Sequence, residues 1–107
     1  MILDVRILRD ATPDTLIDAI GAHLHGERGA DQYGNPLIST ATGTIVAAES
    51  QWDVGQVYAE VRSADGQLAN QVYDAIVEHT NWDVSLVDSS DLHPEDVVLR
   101  HRVVKAA

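Results

Sequence analysis

The sequence predicts an α+β fold, and three observations carry that reading. Apolar residues recur at every second position in several short segments and at helical spacing in two longer ones. The segments run strand, helix, strand, strand, helix, strand, with one more β element at the end. The third observation is an apolar fraction of 45% in 107 residues, enough for one core and one domain spanning 1–107. That core has to be aliphatic, because the chain has no Phe, two Trp and three Tyr.

Residues 2–9 alternate, with Leu3, Val5 and Ile7 on one face and Asp4, Arg6 and Leu8 on the other, as in a strand with one buried side. Thr12-Pro13-Asp14 then reads as a helix start: a hydroxyl cap, a proline preset for the first turn and an acid at the positive end. Leu16, Ile17, Ile20 and Leu24 form the apolar stripe of this helix, and Gly26 offers a left-handed stop. Residues 27–43, with three Gly and an Asn-Pro, read as a long irregular loop, part of which (around 37–42) could form a short edge strand.

Thr44 to Glu49 reads as a second strand, and Gln56 to Arg62 as a third, with Val57, Ala59 and Val61 inward. Ser63 is the expected cap of a second helix running to about Thr80, whose Leu68, Val72, Ala75, Ile76 and His79 share one stripe, with Asn81 as its stop. Trp82 to Val87 and Val97 to Val104 supply the last strands, a helix from Pro94 being the competing assignment for the latter. The resulting β-α-β-β-α-β order is the split pattern of ferredoxin-like sheets, with both helices on one face and an additional C-terminal β element. The open face would carry Asp4, Arg6, Tyr58, Glu60, Arg62, Asp83 and Ser85, with Arg100 and Arg102 as further candidates, and its mixed signs favour cross-strand ion pairs.

Seven basic residues against 17 acidic ones give a net charge of −10. Eleven of the acids and only Arg62 fall within residues 49–96, whereas residues 97–107 carry Arg100, Arg102 and Lys105. A field of this sign repels phosphate, so direct nucleic-acid binding and anionic membrane surfaces are disfavoured, and a basic protein partner is favoured. Solubility accounts for acidity equally well. Without cysteine there is no disulfide framework, thiolate metal site or thiol nucleophile. The opening residues lack the apolar run of a signal peptide, and no stretch approaches the roughly 18 apolar residues of a membrane span. These features predict a soluble, cytoplasmic protein.

His23 and His25 project about 200° apart on a helix and so cannot chelate one ion together; no metal and no cofactor is expected. His79 reads as a core-edge histidine, and His93-Pro94-Glu95-Asp96 as the entry to the next element. Gln51-Trp52-Asp53-Val54 and Asn81-Trp82-Asp83-Val84 echo each other 30 residues apart without matching flanks, so both Trp are expected to cover core edges. Nucleophile-elbow, phosphate-loop and zincin motifs are missing.

Three function classes follow. The first is a small acidic, non-catalytic protein-binding module (of inhibitor, immunity or counter-defence type) that docks on a basic surface through acids such as Asp53, Asp65, Asp74, Glu78, Asp88, Asp91, Glu95 and Asp96. The second is a structural subunit of a virus-like particle or ring, which would make it a homo-oligomer. The third is a cofactor-independent enzyme or small-ligand binder of dimeric ferredoxin-like type, with a pocket between helices and sheet lined by Tyr58, Tyr73, His79 and Trp82.

Overall fold

The computed structural model describes residues 1–51, 55–88 and 97–104. Its elements are β1 (Ile2–Ile7), α1 (Pro13–Gly21), β2 (Glu27–Ala30), β3 (Pro36–Ser39), β4 (Gly43–Glu49), β5 (Val57–Ser63), α2 (Gln67–His79), β6 (Val84–Asp88) and β7 (Val97–Arg102). The seven strands form one antiparallel sheet in the order β2-β3-β4-β5-β1-β6-β7. This is an α+β fold, but its strand order is not that of a simple split β-α-β-β-α-β, because two strands intervene between α1 and β4 and a third follows β6.

The helices bury their stripes on the side of the sheet that carries Leu3, Val5 and Ile7. Leu16, Ile17 and Ile20 of α1 and Leu68, Val72, Tyr73 and Ile76 of α2 meet Ile38, Ile45, Val61, Val84 and Leu86 there. α1 starts as its sequence dictates. The Thr12 hydroxyl accepts the Thr15 amide at 3.1 Å, and the Thr15 hydroxyl accepts the Thr12 amide at 2.8 Å, which closes a reciprocal capping box. The helix ends at Gly21, five residues before the expected stop at Gly26, so His23 and His25 lie beyond it. Gly26 instead allows a close crossing, since a Cβ there would run into the Ile38 side chain.

Other expectations need correcting. Residues 27–43 hold the hairpin β2–β3: the short strand expected around 37–42 is present as β3, and the stretch before it, expected as irregular loop, contains β2. Its first strand, Glu27–Ala30, is exposed throughout and has no buried alternation for a period-two reading to detect. Ser63 is the last residue of β5 and not a cap; the N-cap of α2 is Gly66, and the Asp65 carboxylate accepts the Gln67 amide at 2.9 Å. Arg100 and Arg102 point to the helix side of the sheet, because the register pairs them with the core residues Leu86 and Val84. Residues 97–102 are strand, not helix.

Arg100 and Arg102 tie β7 to α2. Arg100 lies over the Tyr73 ring at 4.2 Å, donates to Asn70 at 3.0 Å and pairs with Asp74 at 2.9 Å. Arg102 donates to the carbonyls of Val77 at 2.8 Å, Thr80 at 2.9 Å and Trp82 at 2.7 Å. It thereby satisfies acceptors that the end of α2 leaves without a helical donor. No described helix is long and apolar enough to cross a membrane.

Candidate functional site: a concavity on the open face

On the face away from the helices, the register builds mixed rows across the sheet. Val46, Glu60, Asp4 and Val87 form one row, and Ala48, Tyr58, Arg6 and Ser85 the next. Asp4 and Glu60 are therefore like charges directly opposite each other, an arrangement that disfavours pairing by itself. Cations within the same strands offset it: Arg62 pairs with Glu60 at 2.6 Å and Arg6 with Asp4 at 3.7 Å. These two ion pairs run along their strands. Asp83 lies just before β6. It is buried to 8% exposure and accepts the Val104 amide at 2.7 Å and Arg9 at 3.4 Å.

The tip of the β2–β3 hairpin and the start of α1 border this face and turn part of it into an open concavity of about 1150 Å³. Thr44, Val46 and Ala48 of β4 and Tyr58, Glu60 and Arg62 of β5 line it, together with Asp31 to Pro36 of the hairpin, Thr12 to Asp14, Glu49 and Gln51. Four carboxylates (Asp14, Asp31, Glu49 and Glu60) thus face one guanidinium, over a floor that is partly apolar.

Two groups register this environment. Half-burial pushes the Tyr58 phenol up, and the negative charges of Glu60, Asp4 and Asp31 push it further in the same direction. For Asp31, desolvation raises the carboxyl, but hydrogen bonds from the Asn35 amide, the Asn35 side chain and the Tyr33 amide outweigh it and hold the group below the usual carboxylate range. Tyr33, at the hairpin tip, is 78% exposed beside these acids.

The structure scatters the residues expected to bind. Asp65 sits in the turn before α2, Asp74 is paired with Arg100, Glu78 lies 3.6 Å from His79, and Asp88 ends β6. Asp53, Asp91, Glu95 and Asp96 lie outside the described residues, as do Trp52 and His93. The four expected pocket residues do not converge. Tyr58 is on the open face, whereas Tyr73 is buried on the other side of the sheet and Trp82 packs against that core. The His79 ring is stacked on that of His23, with centroids 3.3 Å apart. Leu, Ile and Val side chains occupy the space between helices and sheet where this pocket was expected. Among the described residues no three metal-ligating side chains gather.

Sequence reasoning missed Asp14, Asp31, Glu49 and Glu60 as a group. Glu60 was legible as an open-face residue, Asp14 as a first-turn acid and Glu49 as a strand end, but their meeting with Asp31 depends on a hairpin whose first strand gives no pattern. The one local signal was Asp31-Gln32-Tyr33-Gly34, with Asp and Gly at the two ends of a four-residue turn. Comparison with known proteins brings no match, whether to a family model, a curated protein or a solved structure.

Proposed function

We propose that this chain is a small, non-catalytic binding module that docks a basic segment of a partner protein in the open-face concavity. The observation that carries the reading is the lining itself: four carboxylates against one guanidinium, two tyrosines and a partly apolar floor. Carboxylates attract Lys and Arg side chains, tyrosine faces accept cations, and Val46 and Ala48 give aliphatic stems something to cover. The reading keeps the basic partner that the charge suggests and moves the docking acids from those spread over residues 53–96 to the open face. It treats β4-β5-β1-β6 with α1 and α2 as a ferredoxin-like kernel, extended by the hairpin at one edge and β7 at the other.

Titration with an amidated (Arg-Ala)3 peptide tests it. Binding is expected at low ionic strength and should weaken as salt rises. Glu49→Gln and Asp14→Asn should each weaken it about two- to fivefold, the scale of an exposed ion pair. Glu78→Gln on α2 is the control and should change nothing. Salt-independent affinity, or equal losses from Glu78→Gln and Glu49→Gln, would remove the concavity as the site.

A second reading, an assembly subunit, has one observation in its favour. Val97, Val98 and Leu99 of the terminal strand β7 are 40%, 57% and 50% exposed. Light scattering that finds only monomer at high concentration would end it.

A further inference from the structure

Asp31 faces the concavity, yet its oxygens are already in use. Oδ1 accepts the amides of Tyr33 and Asn35, both at 2.9 Å, and Oδ2 accepts the Asn35 side-chain amide at 3.2 Å. The main chain of the same residue closes the hairpin: its N–H donates to the Asn35 carbonyl at 3.0 Å, and its carbonyl accepts the Gly34 N–H at 3.1 Å. Gly34 completes the turn at φ +81°, a left-handed conformation that suits glycine. Asp14 and Glu49 differ. Both are exposed, and neither takes part in an ion pair among the described residues.

Building on the docking reading above, we propose a division of labour in the concavity: Asp31 is a positioning residue that fixes the hairpin rim, and contact with the partner's cations falls to Asp14 and Glu49. A carboxylate that accepts three N–H groups has about one acceptor site left, here on Oδ2, so a guanidinium binding to it in bidentate fashion would have to displace bonds that shape the rim. Asp14 and Glu49 can take a cation at no such cost. The rim then carries Tyr33 at a fixed place over the floor, which is what makes the concavity concave.

Asparagine separates shape from charge. Both backbone amides bind the same oxygen of Asp31, and the Oδ1 of an asparagine can still accept both, though without the carboxylate's charge and with an NH2 group in place of the Oδ2 that accepts the Asn35 side chain. The experiment compares Asp31→Asn with Asp31→Ala, reading peptide affinity with (Arg-Ala)3 and amide hydrogen exchange of Tyr33 and Asn35. Asp31→Asn should retain the protection of both amides and bind within about twofold of the parent, as loss of a screened charge allows. Asp31→Ala should lose that protection and bind about tenfold more weakly or worse, since it deletes three hydrogen bonds at the rim. Equal weakening in both variants with the amides still protected in Asp31→Asn would show that Asp31 acts by its charge, and the proposal would fall. It would fall equally if Asp31→Ala left exchange and affinity unchanged. If the parent protein does not bind the peptide at all, it is the docking reading that fails; the exchange data alone then decide whether Asp31 holds the rim.

Discussion

The two faces of the sheet are built from the same strands by different rules. On the helix face, Val5, Ile7, Leu16, Ile20, Ile45, Val72 and Ile76 are all fully buried. On the other face, the alternate residues of those strands are half-exposed and largely polar: Asp4 and Arg6 on β1, Tyr58 and Glu60 on β5. Burial of apolar area dominates folding, so stability is concentrated on the first face. Exposed charges contribute little to stability, and that freedom lets the second face be arranged for recognition. An acidic chain of this size can therefore place its distinctive chemistry where substitution costs it least.

The sharpest way to break this contrast is to truncate one core side chain. Ile76→Ala, at a position with no exposed area, should cost about 3 kcal/mol by removing transfer energy and leaving a cavity. Urea denaturation reads the loss. A cost below about 1 kcal/mol, no more than a surface substitution, would mean the helix face is not where the fold is held.

A polar contact on the helix face should rank next. Arg102 reaches across from β7 to the carbonyls of Val77, Thr80 and Trp82. Arg102→Met keeps most of the aliphatic stem and deletes the charge-assisted bonds, for an expected loss of about 2 kcal/mol. Amides of the last turn of α2 should exchange faster in the variant. Unchanged stability would show that water replaces the guanidinium at those carbonyls without penalty.

This ordering also explains what could be read from the sequence and what could not. α1 was legible because its instructions are local: Thr12, Pro13 and Asp14 start it and Leu16, Ile17 and Ile20 face inward. β1, β4 and β5 were legible because one buried face imposes period two, and the open-face residues Asp4, Arg6, Tyr58 and Glu60 followed by parity. The start of α2 was not, since Gly66 has no capping side chain and part of that role falls to Asp65. β2 was illegible for a related reason: Glu27-Arg28-Gly29-Ala30 is an exposed edge, held by pairing with β3 and by the Arg28–Asp18 ion pair at 2.6 Å. The side of the sheet that Arg100 and Arg102 occupy depends on register with β6, including an irregularity at Leu86/Val87, which no local pattern encodes. The candidate site inherits this limit: its floor was readable and its rim was not.

The smallest effect is expected on the open face, where it sharpens the contrast through a titration instead of a melting curve. Glu60→Gln removes the partner of Arg62 but also relieves the opposition between Glu60 and Asp4, so stability near neutrality should move by no more than about 0.5 kcal/mol. The Tyr58 phenol should respond more clearly. Desolvation and the charges of Asp4 and Asp31 persist in the variant, so the phenol should titrate lower than in the parent yet above the ordinary tyrosine value. A folded-state pKa raised above the unfolded one contributes stability that is complete below the unfolded value and is lost as pH rises through the folded value. Because Glu60→Gln brings the two values closer, the variant should lose less stability than the parent under alkaline conditions. Ring-carbon NMR separates Tyr58 from Tyr33 and Tyr73 and follows each ionisation. A Tyr58 titration that does not move, or moves upward, would mean that Glu60 does not set the potential in the concavity, and with it would go the electrostatic distinction between the two faces.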